Sequence, residues 1–280
     1  MASTLRRLYE LWGLYARMDI MFVLRGPVTA LAFYVSDLII GLAAVTATFL
    51  LAERFDGIGS WSKAQMIFLL GYALLVRGTI NVLFNFNVAF ISRRIGRGQL
   101  DHVLIQPQPV WMVLLTEGFA PVTGAGMFVP GLIMLVWSFG QLPVVVSPGW
   151  IALLCVNLVS SVAIVLAFEY AWGSLAFWAP RAAEEINSST WRMMTELNVF
   201  PLDGLPALAL TGLLTVVPAG LVAWLPSRAL LGIENGPWTW LVQPVAAAVL
   251  VAISAAIFGR GMVRYGRTGS SRYLSYGHRR

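Results

Sequence analysis

Apolar residues gather into six runs, each near the twenty residues that a helix needs to cross about 30 Å of hydrocarbon. They cover residues 27–51, 64–90, 110–137, 149–178, 205–224 and 238–258. A different pattern precedes them. Leu5, Leu8, Tyr9, Trp12 and Tyr15 recur at spacings of three and four, while Arg6, Arg7, Glu10 and Arg17 fall on other faces. That spacing predicts an amphipathic helix over 4–18, lying in the membrane interface before the chain turns inward at Gly26 and Pro27. The stretch 181–198 mixes Glu184, Glu185, Arg192 and Glu196 with Ile186, Trp191, Met193 and Met194, and reads as a second surface segment. Pro218 predicts a kink in the fifth run, and Pro226 to Pro237 a short outer cap before the sixth. In the sixth, Ala248, Ala252 and Ala256 repeat every fourth residue and offer a close-approach face to another helix.

Composition agrees with this division. The chain has 280 residues, 58% hydrophobic and only 11% charged, against about 25% charged in a soluble domain. The expected fold is therefore all-α and membrane-embedded, a single domain over 1–280. Residues 1–26 form the interfacial helix, 27–258 the six transmembrane helices, and 259–280 a cytoplasmic tail. Among the segments between runs, Arg6, Arg7, Arg17, Arg25, Arg93, Arg94, Arg97, Arg181, Arg192 and the six arginines after Phe258 lie on one side. Arg54, Lys63 and Arg228 lie on the other. Positive loops stay inside, so both termini are expected in the cytoplasm. The net charge of +6 then reflects topology and contact with membrane lipid, and nucleic-acid binding need not be invoked.

Catalytic chemistry finds little support in the chain. Cys155 is the lone cysteine and lies in an apolar run, and His102 and His278 have no metal-ligand neighbours at suitable spacing. A phosphate-cradling loop needs G-x-x-x-x-G-K-[ST], yet the sole lysine, Lys63, follows Ser62 on the outer side. No cofactor or metal is expected on this chain.

Four ionisable residues inside the runs need partners or a task, because each costs about 2.5–3.5 kcal/mol at the bilayer centre. Asp37 and Arg77 fall at similar depth in adjacent antiparallel runs, where an ion pair between them would offset the cost. Glu117 and Glu169 lie nearer the cytoplasm, with no basic partner in the runs. They are candidates for a substrate path open to the cytoplasm.

The loop 91–109, ISRRIGRGQLDHVLIQPQP, combines turn-forming Gly96 and Gly98, a short ridge of Leu100, Val103 and Leu104, and helix-ending Pro107 and Pro109. It reads as a short helix on a stiff mount. With Arg97-Gly98-Gln99-Leu100-Asp101 followed by Pro107, Phe200-Pro201 leading into 213–232, and Arg264-Tyr265 with Ser270, the chain resembles the permeases of ABC-2 type ABC transporters. The resemblance is to the six-span bacterial exporter branch. It implies a bacterial inner-membrane location and a second permease subunit, identical or related. It also implies two cytoplasmic ATPase subunits that carry ATP and Mg, docked on a loop containing Arg94, Gly96, Arg97, Gly98, Leu100, Asp101 and Pro107. An ion- or proton-coupled secondary transporter using Asp37, Glu117 and Glu169 is a second reading, and a noncatalytic assembly subunit a third.

Overall fold

Residues 2–84, 91–234 and 236–269 are described in the computed structural model of the protein, and they are mostly helical. Four helical stretches are long and apolar enough to cross a membrane unaided: Pro27–Phe55, Lys63–Phe84, Pro148–Phe177 and Trp238–Thr268. They match the expected first, second, fourth and sixth runs, although the end of the second lies outside the described residues. In order, α1 is Ala2–Arg25 and α2 is Pro27–Phe55, with Pro27 at the helix start where its missing N–H costs nothing. A small hairpin, β1 Gly57–Ile58 and β2 Trp61–Ser62, leads to α3 Lys63–Phe84. Helix α3 runs through the centre, and its residues Met66, Phe68, Leu69, Leu70 and Tyr72 are fully buried.

The third run is not one helix. Val110–Thr116 (α6) stops at Glu117, a 3-10 turn follows over Thr123–Gly126, and Phe128–Phe139 (α7) completes the path. Pro121 has no N–H to give and disfavours helix at Ala120, so the break is written locally. Tertiary partners satisfy the freed groups. The Ala120 N–H donates to the Val82 carbonyl at 2.8 Å, while the Val122 and Thr123 N–H groups and the Thr123 hydroxyl donate to the carboxylate of Asp19 on α1. Helix α1 is thus bound to the break, with Trp12 also resting on Phe119.

The fifth run also differs from expectation. Ala207–Thr215 (α10) and the stretch Gly220–Leu230, which ends in α11 (Leu225–Leu230), meet at 81°. Both ends of this pair are held at the same end of the bundle. Asp203, just before α10, accepts hydrogen bonds from the indoles of Trp61 and Trp224 and pairs with Arg228 of α11. The Leu230 carbonyl accepts from Trp150, in the first turn of α8 (Pro148–Gly173). The bent pair has the form of a broken span or a re-entrant loop, and the start of the cap expected at 226–237 belongs to its second arm.

What connects the two ends instead is the stretch expected at the surface. Helix α9, Pro180–Leu197, lies along α8. Its Ala183 joins Ile91, Ile95, Phe177 and Tyr265 at one end, and its Met194 joins the main core that also holds Trp61 and Leu202. Eighteen residues span about 27 Å, close to the hydrocarbon thickness. Hydropathy missed it because Glu185, Ser188, Ser189, Arg192 and Glu196 make one face polar and exposed, and averaging along the chain cannot separate two faces.

The last helix, α12 (Val242–Thr268), packs on α8; Ala247 and Ser254 are buried, and the buried Gln243 donates to the Leu221 carbonyl at 2.7 Å. Ala248, Ala252 and Ala256 point away, so the small-residue repeat is not the face used within this chain. Close backbone approach occurs between α3 and α7, where a Cβ on Gly131 would lie 2.6 Å from the Leu75 nitrogen.

Candidate coupling site

Two short helices, α4 (Ile91–Gly96) and α5 (Leu100–Leu104), build the loop after α3. Gly98 sits between them with φ of 71°, the left-handed region that side-chain-bearing residues avoid. Its N–H donates to the Ile95 carbonyl and that of Gln99 to the Arg94 carbonyl, the paired bonds of a glycine-terminated helix end. Gly96 takes no such role. It is the buried last residue of α4, and the turn depends on Gly98 alone.

From this frame three polar ties reach three membrane elements. Arg93 pairs with Glu184 of α9 at 2.6 Å, and Arg94 with Glu117 at the end of α6 at 2.6 Å. The Tyr265 hydroxyl of α12 donates to Asp101 at 2.6 Å. Beneath them Leu100 is fully buried, packed with Ile91, Ile95, Leu114 and Phe177. The opposite edge is open. Arg97, His102, Leu104, Gln106 and Pro107 are exposed, and Ile105 is 82% exposed.

Glu117 therefore has a basic partner, supplied by the loop rather than by another span. Tyr15 of α1 stands beside this pair, and burial followed by the Glu117 charge pushes its hydroxyl above the ordinary tyrosine range. Glu169 is fully buried between α8 and α9, away from open solvent. Asn187 donates to one of its oxygens at 2.6 Å, and the Ser92 hydroxyl of α4 donates to the Asn187 side-chain Oδ1 at 2.9 Å. Thus Glu169 also reaches the loop, through Asn187, while its Oε1 has no hydrogen-bond partner among the described residues. A Cβ on Gly173 would lie 2.2 Å from Ile91 and 3.1 Å from the Asn187 oxygen, so α4 rests directly on α8.

Asp37 and Arg77 interact at longer range. Asp37 accepts a hydrogen bond from Asn81 at 3.1 Å, one turn from Arg77, and feels the Arg77 charge. Among the described residues no ion pair within 4.0 Å joins the two. Asn81, Asn187, Asp19 and Asp203 all escaped the sequence reading. A polar residue inside an apolar run was the available signal for Asn81; none marked Asn187, among other polar residues, or the partners of Asp19 or Asp203.

The Arg94–Glu117 tie can be measured. Alanine at either position should destabilise the protein, and the double variant should lose less than the sum by about 1 kcal/mol, since Glu117 is partly exposed. Thermal unfolding of the four proteins in one detergent checks this; additive losses would show that the pair is not coupled.

The long apolar helices define a multi-pass membrane protein. A family model described as ABC-2 family transporter protein matches residues 38–269, and the chain belongs to that family. It is accordingly a membrane permease of an ABC transporter, the non-catalytic transport component that partners an ABC ATPase. No curated protein and no solved structure matches the chain.

Proposed function

We propose that the protein is the membrane-spanning subunit of an ATP-driven exporter, coupled to its ATPase through residues 94–107. The observation that carries this reading is the loop itself, pinned to α6, α9 and α12 on one edge and open on the other, with Ile105 and Leu104 exposed. An apolar knob on a rigid, polar-tied mount suits a groove on a separate chain. Force applied there would reach three membrane elements at once.

The membrane path follows. The chain crosses six times, by α2, α3, the broken α6–α7 pair, α8, α9 and α12, with α10–α11 closing the outer end. Both termini then face the cytoplasm, and α1 lies along the inner surface of a bacterial cytoplasmic membrane. Arg192 moves from the inner side into a span, which leaves the inward bias of positive charge intact. The polar face of α9 cannot face lipid cheaply. It lines the path between this chain and a second permease, identical or related, while two ATPase subunits carry ATP and Mg. Glu117 and Glu169, engaged by Arg94 and Asn187, serve the coupling frame rather than carry ions.

Replacing Ile105 with glutamate tests the assignment. Copurification of the ATPase in mild detergent should fall about tenfold, the loss of roughly 1.4 kcal/mol of apolar contact, while permease yield and melting stay unchanged. Retention of the ATPase by a well-folded variant would sink the proposal.

A further inference from the structure

On the outer half of the bundle, α2, α3 and α7 leave a groove of about 410 Å³ that the transport reading does not use. Its walls include Leu42, Phe49, Ile67 and Ile133, and its mouth is formed by Glu53 near the end of α2 and Lys63 at the start of α3. The volume lies in the range of small-molecule sites. The interior offers almost nothing polar. Thr46 lines it, but its hydroxyl is spent on the Leu42 carbonyl of its own helix at 2.6 Å. A hydrated or hydrogen-bonding ligand has no reason to enter.

Length and charge narrow the occupant. From Glu53 to Leu42 the groove follows α2 for about 16 Å at 1.5 Å per residue, the depth of one leaflet of hydrocarbon about 30 Å thick. At its mouth Lys63 and Glu53 pair at 2.5 Å, both partly exposed. Such an exposed pair contributes little and opens at small cost. Open, it presents one positive and one negative group side by side. We propose that the groove holds one acyl chain of a zwitterionic glycerophospholipid of the outer leaflet, its phosphate on Lys63 and its ammonium group on Glu53. An anionic lipid would satisfy Lys63 but meet Glu53 as a like charge, and a headless diacylglycerol would leave the pair unused. The inference rests on the membrane orientation alone and is independent of ATPase coupling.

The test uses the complex purified in detergent with phosphatidylethanolamine carrying a photoreactive group in one acyl chain. Irradiation should label peptides of α2 and α7 about fivefold more than the same probe built on phosphatidylglycerol or diacylglycerol, equivalent to about 1 kcal/mol. Thr46→Trp, which fills the groove from an exposed position, should reduce labelling to background. Glu53→Gln should remove the preference for the ethanolamine head over the glycerol head while elution and melting stay as in the wild type, so the result does not depend on the tryptophan variant folding. Equal labelling by all three lipids would mean ordinary bilayer contact and overturn the proposal. So would undiminished labelling of a folded Thr46→Trp protein, or a photoreactive residue at Ile133 that crosslinks to a second copy of the chain.

Discussion

Gly98→Val is expected to cut permease-dependent ATP hydrolysis in the reconstituted complex about tenfold while leaving the bundle folded. At φ of 71° a valine costs roughly 1–2 kcal/mol, and its branched Cβ makes the left-handed region still less accessible. The chain can relieve that strain by turning α5. Doing so pulls Asp101 from the Tyr265 hydroxyl, lifts Leu100 from its pocket and moves Ile105 relative to the mount. About 1.4 kcal/mol spent on the conformation that docks corresponds to the tenfold loss. Asparagine tolerates the left-handed region, so Gly98→Asn should stay near wild type and Gly98→Ala should fall between. Equal hydrolysis by all three variants would show that the turn does not set the geometry of the loop.

Gly78→Leu acts on folding rather than on coupling. A Cβ at Gly78 would stand 2.3 Å from the Phe128 nitrogen and 2.4 Å from its Cα, both backbone atoms at the start of α7. A flexible side chain could swing aside; a helix backbone cannot. Helix α7 is further fixed by the Gly71–Gly131 contact, so separating the pair would open the packing along α3. The expected cost is about 3 kcal/mol or more. Folded yield, read as the monodisperse fraction on size-exclusion chromatography, should collapse. Gly212→Ala, where nothing lies within 4 Å, should change nothing and serves as the control. Normal yield of Gly78→Leu would mean that α3 and α7 do not meet in this way.

Both effects arise at glycines, but they were unequally visible beforehand. Gly98 stands between an arginine-rich helix and a leucine-bearing one, so a turn there was legible from order alone. Gly78 sits inside an apolar run and looks like any small helix residue until Phe128, fifty positions on, is placed against it. The same division holds in the loop. Its short helix and its stop at Pro107 and Pro109 follow from local pattern, whereas the burial of Leu100 with Leu104 left exposed, and the ties of Arg93, Arg94 and Asp101 to Glu184, Glu117 and Tyr265, do not.

The sequence by itself determined the membrane class, four of the six expected runs as long apolar helices, and the segment 91–109 as a short-helix loop between two of them. These are sums over neighbouring residues, since the transfer of each side chain into hydrocarbon contributes locally. Tertiary structure decided how the remaining segments pack against these helices. A short apolar stretch can run straight or bend, and residues 207–230 bend by 81°, with Asp203 before the bend tied to Trp61 and to Arg228 after it. A helix with one polar face can stand apart at a surface or pack along the bundle, and α9 packs along α8 with Ala183 and Met194 buried in two different core clusters while its polar face stays exposed. The free energy that settles such choices lies in contacts between residues far apart in the chain, where no local pattern records it.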